Sequence, residues 1–390
     1  MSGHTLIHLK PTVLQWARER ARLAPDALAR KMGVNPERVY EWEQNGQISI
    51  SQADRLAHCT HTPLGYLYLP EPVEDLLPIP DYRTMADRPV QRPSPELLDT
   101  VQTMQRRQAW MRDELIEQGS KPLACVGSVG LDAKPAQVAE AMRNLLGLAP
   151  HWAESEPTWE SALRRLRDRI EAAGILVVFN GVVGNNTHRK LDPEEFRGFA
   201  LVDEHAPLIF VNAADFKAAQ MFTLMHELAH VFTGSSGVSN FEALEPTPHK
   251  AEQFCNRAAA EFLVPAVDLR KAWEKTSPRD DRFNLLARQF KVSSLVVARR
   301  ALDLALVDRE TFFTFYGTWQ RDERRKQRRA QDGGNFWNSQ NVRIGRRFGA
   351  AVVRAVKEGR LLYREAYSLI GLSGRAFDKF ARQLEGPLMT

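Results

Sequence analysis

Between Met221 and Gly234 the chain reads Met-Phe-Thr-Leu-Met-His-Glu-Leu-Ala-His-Val-Phe-Thr-Gly. A helix with such apolar flanks on both sides of its polar residues reads as one buried beneath a cleft. Its ionisable residues, His226, Glu227 and His230, fall within one stretch of five. Histidines four apart stack on one helix face, one turn apart, so both imidazoles reach the same ion. Glu227 falls beside them, placed to take a proton from a water polarised by that ion. Gly234, Ser235, Ser236 and Gly237 then stop the helix. The competing reading, an amphipathic helix carrying two surface histidines, fits the apolar flanks poorly.

A third ligand is expected from Lys250 to Pro265, a run of helix formers closed by a proline. Glu252 completes a set of two histidines and one carboxylate, which leaves a fourth position for water and suits Zn2+ at a catalytic site. Asn256 shares the face of Glu252 one turn on and can hydrogen-bond a ligating imidazole, fixing its ring orientation. The alternatives are that Glu252 is a solvated helical glutamate, or that Glu261 competes for the role. Glu261 lies deeper in the apolar run and reads better as a structural contact. Cys59, Cys125 and Cys255 are too scattered to form a cysteine site and read as reduced thiols, which points to a cytoplasmic protein. No apolar run approaches the ~20 residues that span a bilayer. The first residues lack the basic and apolar regions of a secretory signal.

The chain of 390 residues, 43% of them hydrophobic, has room for several cores, and the expected class is α+β, mostly helical. Residues 1–70 read as a bundle of short helices. Within it Asp26–Met32, a stop at Gly33, and Glu37–Gln44 ending at Asn45-Gly46 form a helix-turn-helix pattern. The run Ala-Leu-Ala-Arg-Lys-Met-Gly-Val-Asn-Pro-Glu-Arg-Val-Tyr-Glu-Trp-Glu-Gln-Asn-Gly resembles the phage-repressor (XRE) type of DNA-binding domain. In such a domain the second helix enters the major groove, so Arg38, Tyr40 and Glu41 are candidate DNA contacts. That helix is acidic, however, and a protein partner for the bundle is the alternative. Residues 71–95 form a Pro-rich connector, 96–275 the metal-binding domain, and 276–390 a helical C-terminal region.

Helices are expected over 97–118, 135–146 and 158–173, with no chemistry assigned to them. Strands follow at Ile175–Phe179, Phe196–Val202 and Leu208–Asn212, read as a small antiparallel sheet ahead of the metal helix. A sheet edge can pair with an extended peptide, and a strand glycine marks a close backbone approach. Arg197, Gly198, Phe199 and Ala200 are therefore nominated as the substrate-facing edge, with plain sheet core as the alternative. Residues 281–306 again have helix-turn-helix rhythm and read as packing. From 320 to 360 there are twelve Lys/Arg against four Asp/Glu. Such a run is ordinarily a solvated helix face; a phosphate-contacting surface with Trp337 beside it is the functional alternative.

Three segments, 196–212, 220–234 and 251–265, together with the connector at 77–84 (Leu-Pro-Ile-Pro-Asp-Tyr-Arg-Thr), resemble the ImmA/IrrE metallopeptidases fused to an XRE-type domain. The resemblance covers most of residues 10–310. It implies an intracellular zinc protease acting as a switch that cleaves a helix-turn-helix repressor. By motif position, His226, His230 and Glu252 would hold zinc and Glu227 would be the catalytic base. Ala258 stands where family members usually carry phenylalanine. No membrane association is expected, and repressor-type domains commonly work as homodimers on paired half-sites. The competing functional reading is a non-catalytic transcriptional regulator that senses metal or a partner. His205 and His249 are weak candidates for stabilising an oxyanion.

Overall fold

The computed structural model describes residues 5–81, 92–149, 151–239, 249–276, 281–329 and 336–385, with no side-chain description at 218, 323–329, 336–339 and 385. Connector residues 82–91 and the Trp337 side chain lie outside the described residues, as do all basic side chains between 324 and 329. The chain divides into two compact units, one of residues 1–78 and 88–102, the other of 79–87 and 103–390.

The first unit holds β1 (Leu6–His8), α1 (Pro11–Arg20), α2 (Pro25–Met32), α3 (Pro36–Asn45), β2 (Gln47–Ser49) and α4 (Ile50–Thr60). The helices close on Val13, Leu14, Trp16, Leu28, Met32, Val39, Trp42 and Leu56, all buried. Gly33 ends α2 and Gly46 ends α3 in the left-handed conformation. A Cβ at Gly46 would lie 2.1 Å from the Leu9 carbonyl oxygen, so only glycine fits that turn. The ribbon of β1 with β2, paired antiparallel from Leu6 opposite Ser49, was not foreseen in the sequence. On α3 the Glu43 carboxylate is turned inward and takes two bonds from Arg18, at 2.6 and 3.0 Å. Arg38 and Glu41 pair with each other on the exposed side at 2.7 Å, and Tyr40 is exposed beside them.

The second unit begins with most of α5 (Pro95–Glu117), then α6 (Pro135–Leu145) and α7 (Trp159–Ala172). Five strands follow: β3 (Leu176–Asn180), β4 (Val182–Val183), β5 (Asn186–Lys190), β6 (Gly198–Leu201) and β7 (Leu208–Asn212). Next come α8 (Lys217–Thr233), β8 (Gly237–Ser239), α9 (Lys250–Leu263), α10 (Ala266–Lys275), α11 (Arg282–Phe290) and α12 (Ser294–Asp303). The C-terminal elements are α13 (Arg309–Arg329), α14 (Phe336–Ile344), α15 (Arg346–Lys357), α16 (Tyr363–Ile370) and α17 (Gly374–Glu385).

The main sheet has the order β3-β7-β6-β8. The expected antiparallel pairing holds for β6 with β7, but β3 and β7 run parallel, and the unforeseen β8 pairs antiparallel with β6. The correction has a visible cause. The β4–β5 hairpin and β6 lie between β3 and β7 in sequence, so the chain returns to the same end before β7 starts. β3, β6 and β7 are buried at every residue, because α8 packs on β6 and β7, while α7 and α14 pack on β3. Leu286, Phe290 and Val297 share one core with Leu228 and Phe254, so that core continues past residue 275, where the sequence suggested a boundary.

Arg107 on α5 ties the C-terminal helices into this unit. Its guanidinium is buried and donates to the carbonyls of Leu369 (2.9 Å), Arg343 (3.3 Å) and Ile370 (3.4 Å). Burial, with nearby Arg106, brings its pKa down to about 10. Arg107→Ala leaves buried carbonyls unpaired, at about 1–3 kcal/mol each if water cannot reach them. The expected result is a lower thermal midpoint and limited proteolysis beginning within 344–383. An unchanged midpoint and digestion pattern would remove Arg107 from this role.

Candidate metal centre

Every residue of α8 from Thr223 to Phe232 is buried, the two histidines included. Gly234 caps it in the left-handed conformation, and the loop at 127–129 donates to its last carbonyls, Val231 at 3.1 Å and Phe232 at 3.0 Å. α9 lies against α8 and presents Glu252 from its first turn.

The three side chains converge. His230 Nε2 lies 2.8 Å and His226 Nε2 3.2 Å from the two Glu252 oxygens, and the two Nε2 atoms are 3.0 Å apart. Candidate ligand atoms of His226, His230 and Glu252 all fall within 4.8 Å of one another, the one such cluster among the described residues. Both histidines are fully buried and Glu252 is nearly so. Burial pushes the His226 imidazole down, toward the neutral form a ligand needs, while Glu252 and Asn256 pull the other way. Burial alone would raise the Glu252 carboxyl, but the adjoining His226 and His230 hold it well below the usual carboxylate range. Asn256 stands one turn beyond Glu252 on α9, and its buried side-chain oxygen meets no hydrogen-bond partner among the described residues.

Glu227 follows His226 directly on α8 and is near enough to Glu252 to feel its charge. Among the described residues neither of its oxygens meets a hydrogen-bond partner, although the residue is fully buried. Burial and the neighbouring Glu252 charge raise its pKa well above that of an ordinary glutamate. A buried carboxylate left unpaired is costly. Here it stands next to three converging donors of the hard and borderline types that zinc prefers. Donor set and orphaned carboxylate together fit a bound divalent ion with water beside it.

Gly198 on β6 makes room for this carboxylate. A Cβ there would come within 2.7 Å of the Thr223 methyl, 2.8 Å of the Phe210 carbonyl and 3.0 Å of Glu227 Oε1. The close approach inferred from the strand glycine is therefore the approach of β6 to the metal helix. Gly198→Ala is expected to cost about 1–3 kcal/mol in thermal or urea unfolding, because Phe210's backbone cannot yield as a side chain can. A variant as stable as the parent would contradict the packing described here.

The nominated substrate edge is corrected. β6 lies between β7 and β8, so Arg197 to Ala200 border no free edge. The Arg197 N–H donates to the Ser239 carbonyl (3.0 Å), and its own carbonyl accepts from Asn212 (2.8 Å). Its side chain turns toward Asp215, at 3.7 Å. Phe199 stacks on Phe210 with ring centroids 4.8 Å apart, and both Phe199 and Ala200 are wholly buried. β8 was hidden in the sequence because its three residues directly follow the helix stop and carry no strand periodicity. The outer side of β8 meets the connector: Val238 N–H donates to the Pro80 carbonyl at 3.0 Å, and Asp81 bridges to Val238 in parallel.

The other candidates have the following surroundings. His205 occupies the β6–β7 turn, where its N–H donates to Asp203. His249 is exposed at the N-cap of α9. Glu261 pairs with Arg300 and accepts from the Ala266 N–H, the structural role expected of it. Ser239, which sequence reasoning missed, is fully buried and donates to Glu252 Oε1 at 3.4 Å. Cys255 was placed only as a thiol. It lies buried beside the pocket, where burial and the Glu252 and Glu227 charges push it strongly toward the neutral form. Its sulfur is not among the ligand atoms that converge with His226, His230 and Glu252.

Residues 170–302, about a third of the chain, match the family model described as the IrrE N-terminal-like domain, a peptidase family. Residues 344–383 match one described as a domain of unknown function. No curated protein and no solved structure matches the chain. The first match spans the sheet, both metal-site helices and α10 to α12. It supports the ImmA/IrrE resemblance over that span and a metallopeptidase type of fold there. No helix among the described residues is long and apolar enough to cross a membrane.

Proposed function

We propose that this chain is a zinc-dependent endopeptidase that acts as a regulatory switch on a protein partner, a helix-turn-helix repressor being the partner its family resemblance favours. One observation carries the reading: two imidazoles and a carboxylate converge around a buried, unpaired glutamate. His226, His230 and Glu252 would hold the ion. Zinc bound there supplies Lewis acidity, polarising the attacking water and the scissile carbonyl.

The chain's own residues do the rest. Glu227 accepts a proton from the attacking water and returns it to the leaving amine. Burial and the Glu252 charge favour its protonated form, and a cation held beside it would favour the carboxylate that accepts the proton. Asn256 would orient the His226 ring from one turn beyond Glu252, and Ser239 donates to the Glu252 carboxylate. Gly198 keeps β6 from displacing Glu227.

The switch part of the reading is supported by the connector. Pro80 and Asp81 lie along β8, two positions or fewer from Ser239. A peptide adding to that edge must first displace them. The test uses the Glu227→Gln variant as a trap. The partner should co-purify intact with the variant and be cut at one site when zinc-loaded wild-type protein is added. If no protein retained by the variant is cleaved by the wild type, the endopeptidase reading falls.

A further inference from the structure

We infer that the last three helices, α15 to α17, form a duplex-DNA-binding module whose groove-entering element is α17. Local geometry carries the first half of the argument. α16 has eight residues and ends at Gly371, which takes the left-handed conformation at φ 75°. Gly371, Leu372 and Ser373 make the turn, and α17 runs for twelve residues from Gly374. Two helices joined by a three-residue, glycine-led turn is the helix-turn-helix connection.

Burial follows the spacing that such a unit needs. Ala366 and Ile370 on α16, Leu372 in the turn, and Phe377 and Phe380 on α17 are the buried positions. Tyr363 and Tyr367 on α16 pack their rings against Phe377, with centroids 5.9 and 5.4 Å away. α15 closes the third side at Gly349, where an added Cβ would sit 2.6 Å from the Phe380 ring. The three helices therefore share one small core, and α17 has one face left over.

That face is mainly basic: Ser373, Arg375, Lys379 and Arg382 are all exposed, with the acid Asp378 exposed among them. The last three fall at i, i+4 and i+7, one stripe along the helix. Residues 344–383 hold nine Lys/Arg and three Asp/Glu, a net of +6, against +5 for the whole chain. Positive charge beyond that of the entire protein is thus concentrated in these forty residues. The β4–β5 hairpin abuts the same turn, with Asn185 Nδ2 donating to the Gly371 carbonyl at 2.8 Å. Its strand β5 reads Asn-Thr-His-Arg-Lys and contains no acid. A helix with a basic exposed stripe, held by a glycine turn on a small core, complements the phosphate-lined major groove of a duplex.

The test needs no known operator, because non-specific duplex binding reports the phosphate contacts. Full-length protein is titrated into a fluorescein-labelled 40-base-pair duplex of mixed sequence, by anisotropy, across a series of salt concentrations. The combined variant Arg375→Ala, Lys379→Ala, Arg382→Ala is expected to bind about tenfold or more weakly. Its log K against log salt should be shallower by about 2–3, one for each lost phosphate contact. Circular dichroism should be unchanged, since alanine favours a helix at exposed positions. The single charge reversal Lys379→Glu gives a second, independent loss should the triple variant fold poorly. Arg38→Ala, in the first unit, should leave the slope difference between parent and triple variant in place. The inference is overturned if the wild type does not bind the duplex at low salt, or if the triple variant keeps both affinity and slope. It is also overturned if single-stranded RNA displaces the probe as well as unlabelled duplex does.

Discussion

Glu227→Gln should abolish most peptide hydrolysis while leaving the metal and the fold in place. The substitution keeps the shape of the side chain and removes its ability to accept a proton. Loss of a positioned general base costs about 10^2–10^4 in rate, so single-turnover cleavage of the trapped partner should slow by that factor. Zinc content should stay at one per chain, because Glu227 is not among the converging ligands. A loss of zinc together with activity would mean instead that Glu227 is itself a ligand. Full activity in the variant would mean that another group carries the proton.

Glu252→Ala should have the larger effect on the protein as a whole. It removes one of three ligands and leaves two buried imidazoles facing an empty carboxylate position. Stoichiometric zinc should be lost on purification and peptidase activity should fall below detection. Metal that binds only the folded chain stabilises it by about 4 kcal/mol when present at a thousand times its dissociation constant. A change of that size moves a thermal midpoint by on the order of 10 °C in a unit of this length. Chelation of the wild type should therefore lower its midpoint by roughly that amount, and chelation of Glu252→Ala should lower it not at all. A wild type indifferent to chelator would show that no ion contributes to its stability.

The centre of this site was legible because its signals are local. Two histidines four apart, a glutamate beside them and a glycine stop are all contained in α8, and the apolar flanks already required burial. Glu252 and Asn256 could be paired by the same one-turn rule on α9. Long strands such as β7 announced themselves by continuous apolar residues between breakers. The sheet order was not legible. β8 has three residues, too few to show a period, and its partner on the outer side comes from the connector, far away in sequence. That one missing strand turned an interior strand, β6, into an apparent edge and misassigned Arg197 to Ala200 as substrate contacts. The β1–β2 ribbon was missed for the same reason. The sign of β3–β7 pairing depends on the path of the chain through the β4–β5 hairpin, which no residue type records. Ser239 carried no signal either, being a serine among other loop-forming residues until β8 places it against Glu252.

The central claim is that His226, His230 and Glu252 hold one zinc ion with an open position, and X-ray absorption at the zinc edge of the purified full-length chain tests it most directly. The account predicts a first shell of nitrogen and oxygen only, at about 2.0–2.2 Å, with the multiple-scattering signature of two imidazoles. A sulfur neighbour at about 2.3 Å, which would bring in Cys255, or a shell containing fewer than two imidazoles, would contradict it.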